Sequence, residues 1–187
     1  MAAYWTLGET WSTQGDVEKG IEYYEKAFAI SSKSSPLNHE ILLHLESRLA
    51  YMKRDQDLQA SVKWMEEIVH RMKIHVGREH VGTINNMMTL SCMYTRQKRY
   101  KKAEDVLCEA LEISQQLNGD SHELTHTILG LYSESLKHQG KSDVCYSMIH
   151  RLAPSLIKKN SPGAATAKKL VALLHWASET KVGEKIE

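Results

Sequence analysis

The sharpest chemical signal in this sequence is His122-Glu123-Leu124-Thr125-His126, a literal HExxH. On a helix, histidines four apart project from one face and can share a zinc ion, while the glutamate between them polarises a metal-bound water. A zinc-dependent hydrolase with His122 and His126 as ligands is therefore the alternative to be weighed. Three features oppose it. Asp120-Ser121-His122-Glu123 has the form of a helix start in which Asp120 caps and Glu123 reaches back. The longer HExxHxxGxxH pattern fails, since Leu129 replaces its glycine and Tyr132 its last histidine. A degraded copy, His80-Val81-Gly82-Thr83, also recurs one repeat earlier without the glutamate or the second histidine. The preferred reading is a coincidence between repeat linkers, with no catalytic residue, no metal and no cofactor.

Other chemistry finds no anchor. No G-x-S-x-G, GxxxxGK[ST] or GxGxxG occurs, and the remaining histidines are scattered. Cys92, Cys108 and Cys145 are odd in number and lack CxxC spacing, so they suggest small apolar filler and not a disulfide framework. A basic cluster, Arg96, Lys98, Arg99, Lys101 and Lys102, reads first as a solvated turn and second as a contact for an acidic peptide or phosphate. Without interleaved aromatics it does not read as a nucleic-acid site.

Composition is that of a soluble globular chain, 25% charged and 42% hydrophobic, with one Phe and three Pro favouring helix over sheet. The formal charge of +1 supplies no overall field for nucleic acid or an acidic membrane. The longest apolar runs fall short of a bilayer span and the first residues lack a secretory pattern, so no membrane insertion and a cytoplasmic location are expected.

The elements that would position any site are helices. From Thr83 to Asn118 the apolar and small residues keep helical spacing on both sides of a polar break at Gln97-Lys98-Arg99, which predicts a helical hairpin. Overlaying Gly15-Asp16, Asp55-Gln56, Lys98-Arg99 and Gly140-Lys141 brings four segments into register, at steps of 40, 43 and 42 residues. One site then reads Trp11, Tyr51, Tyr94 and Leu136, always large. A second reads Gly20, Ala60, Ala103 and Cys145, always small, and a third reads Tyr24, Trp64, Leu107 and Ile149. Large against small at fixed offsets is what two closely crossing helices require. Helices are predicted at 1–14, 16–32, 37–53, 57–75, 80–97, 100–118, 121–138 and 142–159, with Asp16 as an N-cap and Ser31–Pro36 and Ser161-Pro162-Gly163 as breaks.

The segments Leu7-Gly8, Trp11, Gly15, Gly20, Tyr24, Ala27 and Leu90-Ser91, Tyr94, Ala103, Leu107, Ala110 resemble tetratricopeptide repeats. With linkers Gly77–Thr83 and Gly119–Thr125, they are similar to the roughly 42-residue variety of kinesin light chains. The second segment matches least, with Ser47-Arg48 where Leu-Gly or Leu-Ala is usual and Glu67 where Ala is usual. The resemblance implies an all-α, right-handed superhelical solenoid of about four hairpins (1–34, 37–76, 80–118, 121–159). A C-terminal capping helix would follow at 163–181, with Ala167, Leu170, Val171, Leu174 and Ala177 on its covered face, and then a frayed tail at 182–187. Trp5 and Trp11 at an open first hairpin suggest a piece of a longer protein or a covering partner.

In such arrays the first helix of each pair lines the concave side. By register that groove would show Leu45, Leu49, Asn85, Met88, Thr89, Cys92, Arg96, Thr127, Leu131 and Glu134. For Leu49 and Leu131, packing between repeats is an equal alternative. The resemblance implies a non-enzymatic protein–protein interaction scaffold that takes a peptide or helical segment in this groove. It does not imply capture of a chaperone's C-terminal carboxylate, because Trp5 and Glu9 stand where Lys and Asn would be needed. Self-association through the uncapped first hairpin is a further alternative.

Overall fold

The computed structural model describes residues 2–34, 40–152 and 165–183. Every regular element among them is helical: α1 (Ala2–Thr13), α2 (Val17–Ser34), α3 (Glu40–Met52), α4 (Leu58–His75), α5 (Val81–Arg96), α6 (Tyr100–Asn118), α7 (Glu123–His138), α8 (Ser142–Leu152) and α9 (Ala165–Gly183). A short 3-10 turn, Lys53–Asp55, joins α3 to α4. The predicted stretches 153–159 and Ser161-Pro162-Gly163, and residues 184–187 of the predicted tail, lie outside the described residues. So do Ser35 and Pro36 of the predicted break after α2, while Ser31–Ser34 continue the helix instead of ending it. The chain divides into two compact units, Met1–Met93 and Tyr94–Glu187.

Local turn chemistry sets the hairpins. In three of them the first helix closes with the same pair of bonds. Gly15 N–H reaches Ser12 O and Asp16 N–H reaches Trp11 O; Lys98 and Arg99 repeat this on Thr95 and Tyr94, and Gly140 and Lys141 on Lys137 and Leu136. This Schellman closure needs one residue in the left-handed region, supplied by Gly15 (φ 87°), Lys98 (φ 59°) and Gly140 (φ 70°). Asp16 then caps α2 as expected, its Oδ1 accepting from Lys19 N–H at 3.1 Å.

The second hairpin departs from this pattern and shifts the register. Its turn contains the 3-10 segment, and Asp57 is the cap of α4, accepting from Ala60 N–H at 2.9 Å. Counting four residues on from each second-helix start, the bonds Gly20 to Asp16, Ser61 to Asp57, Ala103 to Arg99 and Cys145 to Lys141 mark equivalent positions. The small site is thus Ser61, which is buried, and not Ala60, which is exposed. The large site is Met65 and not Trp64. On the first helix the equivalent is Ala50, fully buried, where Tyr51 had been expected. Two extra turn residues moved the overlay by one residue in each direction.

In unit 1 the core of the first two hairpins is Ile21, Tyr24, Ala27, Leu45, Leu49 and Met52, flanked by Trp5, Phe28, Ile41 and Trp64. Gly8 permits the approach of α2: a Cβ there would stand 3.1 Å from the Tyr24 ring. Glu46 takes the register position held by Leu90 and Tyr132 in later hairpins, is only 6% exposed, and is neutralised by a charged hydrogen bond from Arg71 of α4. Beside it Ser47 donates to Asn86 Oδ1 of α5. In unit 2 the core runs through Ala103, Leu107, Ile128, Leu129, Cys145 and Ile149. Helix α9 packs against α7 and α8 through Leu170, Leu173 and Ala177, with Leu174 at the edge. Val171, expected on that covered face, is exposed, because the helix is rotated to bring Leu173 inward. Fully burying each such leucine contributes about 1.5–3 kcal/mol.

Candidate functional site

In unit 1 the candidate face is carried by α3 and α5. On α5, Asn85 is exposed and Met88, Thr89 and Cys92 are half-buried, while Ile84, Asn86, Met87, Leu90, Ser91 and Met93 are buried. Spacings of three and four residues make this one narrow outward stripe. On α3 the expectation is corrected. Leu45 and Leu49 are 0% and 4% exposed and belong to the core, so neither can touch a ligand. The outward stripe of α3 is instead Ile41, His44 and Arg48. The register shift explains the difference, since Arg48, not Leu49, is the counterpart of Glu9 and Cys92.

Charges on this face are tied together. Arg48 pairs with Glu9 of α1 at 3.1 Å, and Glu9 in turn is hydrogen-bonded to the Tyr24 hydroxyl. Burial first, then Glu9, pushes the Tyr24 pKa well above the usual phenol range. Glu40 Oε1 lies 3.5 Å from both His44 Nε2 and His80 Nε2. Burial pushes the His44 pKa down, against the pull of Glu40.

In unit 2, Thr127, Leu131 and Glu134 form a half-buried stripe on α7, and Glu134 pairs with Lys169 of α9 at 2.5 Å. Arg96 is exposed at the end of α5. Beyond it, Lys98 adopts the left-handed conformation that the first and fourth turns give to glycine. For a residue with a Cβ this costs on the order of 1 kcal/mol. Burial pushes the Tyr132 hydroxyl to about 12 and raises the thiol of the half-buried Cys108.

The HExxH is disposed of by its backbone. His122, not Asp120, is the N-cap of α7: it is extended (φ −75°, ψ 145°) and its Nδ1 accepts from Leu124 N–H at 3.1 Å. Asp120 instead accepts from Gln115 Nε2 at 2.7 Å. A histidine outside the helix cannot share a helical face with His126, which points into the interior with Nε2 lacking a hydrogen-bond partner. Among the described residues no three His, Cys, Asp or Glu side chains gather as a metal site.

The same device stands one repeat earlier. His80 Nδ1 accepts from Gly82 N–H at 3.2 Å, and Thr83 Oγ1 donates to Gly77 O at 2.7 Å, as Thr125 Oγ1 does to Gly119 O at 2.9 Å. Gly77 and Gly119 both have positive φ. The Gly-x-x-His-x-x-Thr spacing was present in both linkers and carried this signal.

Consecutive helical hairpins of this length and closure are the units of an α-helical repeat protein. Residues 2–34 and 83–123 each match a tetratricopeptide repeat model. The nearly identical TPR-like repeats of a Podosopora anserina kinesin-light-chain-type protein superpose with a TM-score of 0.84 at 15% identity, over 98% of this chain and 88% of that one. BtubC (BKLC) from P. vanneervenii gives 0.69 at 16% identity, over 96% and 78%. A clustered mitochondria protein homolog from Candida albicans is 32% identical over 75 residues, which are 40% of this chain and 6% of that protein. Two of the hairpins thus match the tetratricopeptide repeat, a kind of repeat that marks protein–protein interaction scaffolds, and the fold is that of the TPR-like repeat structures. No helix among the described residues is long and apolar enough to cross a membrane.

Proposed function

We propose that the chain is a non-enzymatic scaffold whose α3 and α5 face receives a peptide or helical segment of a protein partner. The observation that carries this reading is the α5 stripe. Asn85, Met88, Thr89 and Cys92 reach solvent along the middle of a helix whose other residues there are buried, and Ile41, His44 and Arg48 do so on α3. Met88 and Ile41 offer adaptable apolar anchors, and Asn85 and Arg48 offer hydrogen bonds and charge. Arg96, Thr127, Leu131 and Glu134 are the corresponding candidates of unit 2, and α9 serves as the cap of the last hairpin.

The test is an affinity pull-down with the whole chain beside a Met88→Glu/Asn85→Ala variant whose helicity is unchanged. Loss of specific partners from the variant supports the reading, and an identical partner set removes it. A second reading rests on α1, where Tyr4 and Leu7 are 37% and 39% exposed although Leu90 and Tyr132, equivalent to Leu7, are buried. Here a second copy of the chain covers the α1 face. Light scattering that shows a monomer at all concentrations would exclude it.

A further inference from the structure

The turn edge of unit 2 concentrates charge of one sign. Residues 94–105 and 137–143 carry seven lysines and arginines against three carboxylates, Glu104, Asp105 and Asp143, a net +4 on a chain of formal charge +1. The two stretches adjoin in space. The Tyr100 ring stacks on His138 with centroids 4.6 Å apart, and Gln139 Nε2 and Lys141 Nζ reach Glu104 at 2.9 and 2.7 Å. Lys101 lies 3.3 Å from Glu104 and 3.0 Å from Asp105, so those acids are engaged by Lys101 and Lys141.

The other cations are held differently. Arg99 and Lys102 lie over the Tyr94 ring at 5.2 and 5.5 Å, and Lys137 lies over Trp176 at 5.4 Å. Arg99 also donates to Gln97 Oε1 at 3.1 Å, and a cation ordered in this way pays less entropy on meeting an anion. Lys98 adds an independent indication. Its turn position is glycine in the first and fourth hairpins, yet here a lysine is kept in the left-handed conformation at φ 59°. Strain retained where glycine would relieve it points to a use for the side chain.

We propose that this edge is a second docking surface, distinct from the α3 and α5 face, for an acidic segment of a partner polypeptide, with Lys98, Arg99, Lys102 and Lys137 meeting its carboxylates. A protein segment fits better than single-stranded nucleic acid. Tyr94 is buried beneath its cations and Tyr100 is stacked on His138, so neither ring is open to a base.

Fluorescence anisotropy of the whole chain with a labelled Asp/Glu-rich peptide tests this. Expected is binding that weakens with salt, falls about tenfold or more in Lys98→Gly/Arg99→Gln/Lys102→Gln, and is unchanged in Met88→Glu/Asn85→Ala. Lys98→Gly alone weakens binding while raising the melting temperature, a combination that a merely structural role does not produce. The proposal is overturned by absence of binding, by unchanged affinity in the triple variant, or by a Lys98→Gly variant that melts below the parent. It is equally overturned if a single-stranded RNA of equal charge binds more tightly than the peptide, or if the groove variant abolishes peptide binding.

Discussion

Replacing Glu46 by Leu puts an apolar side chain where Leu90 and Tyr132 sit in the later hairpins, and a repeat consensus would call it an improvement. The structure predicts the opposite sign. Glu46 is almost wholly buried and receives a charged hydrogen bond from Arg71, whose other carboxylate neighbour, Glu67, is 3.9 Å away and largely exposed. Glu46→Leu leaves that guanidinium partly desolvated against leucine. Removing one partner of a buried pair costs about 3–5 kcal/mol, and the 21% exposure of the Arg71 side chain places this site near the lower bound. A loss of about 3 kcal/mol lowers the melting temperature of a chain this size by roughly 6–12 °C. Glu46→Leu/Arg71→Met, which removes both charges at similar volume, recovers to within about 1 kcal/mol of the parent. Urea unfolding of the two singles, the double and the parent gives the coupling directly. A Glu46→Leu single as stable as the parent, or a double no better than the worse single, would refute the reasoning.

Further expectations follow from other positions. Gly8→Ala places a Cβ 3.1 Å from the buried Tyr24 ring, whereas Gly20→Ala meets the mobile Met52 Cε. The first is expected to be less stable than the second by about 1–2 kcal/mol in thermal melts, although both gain helix propensity. His122→Ala loses the α7 cap and about 1 kcal/mol, while His122→Asn keeps an acceptor and stays within about 0.5 kcal/mol. Unchanged stability in the alanine variant would mean that the cap contributes nothing. For Glu104, burial raises the pKa but hydrogen bonds from Lys141, Gln139 and Lys101 outweigh it and hold the carboxyl below its ordinary 4.5. Its contribution is therefore complete above that value. It is lost as pH falls below 4.5 through the lowered folded value, because the unfolded chain takes up the proton first. Glu104→Gln should flatten the stability profile in that window alone, and an unaltered slope would contradict the assignment.

The hairpins were legible because their turns are written in small residues. Gly15 and Gly140 announce left-handed closures, and Gly20, Ala103 and Cys145 mark close helix approaches. Lys98 does the work of glycine without its signature, so only the backbone reveals it. The second hairpin was misaligned by one residue on each helix because Lys53–Asp55 winds an extra partial turn, a choice no single residue type dictates. That slip moved the candidate face of α3 onto Leu45 and Leu49 and hid Ile41, His44 and Arg48. The start of α7 misled in a different way, placing the cap on Asp120, since histidine is an uncommon cap and its side chain alone does not say whether the backbone beneath it has entered the helix.

Look-alike hairpins in one chain face a sorting problem while folding, because each apolar face fits several wrong neighbours nearly as well as the right one. The carboxylate and guanidinium on α3 and α4, with the Ser47–Asn86 bond to α5 beside them, act as an address. A hairpin that slides by a turn or pairs with the wrong sister must strand a charge in hydrocarbon, so the mistake is expelled before it can set.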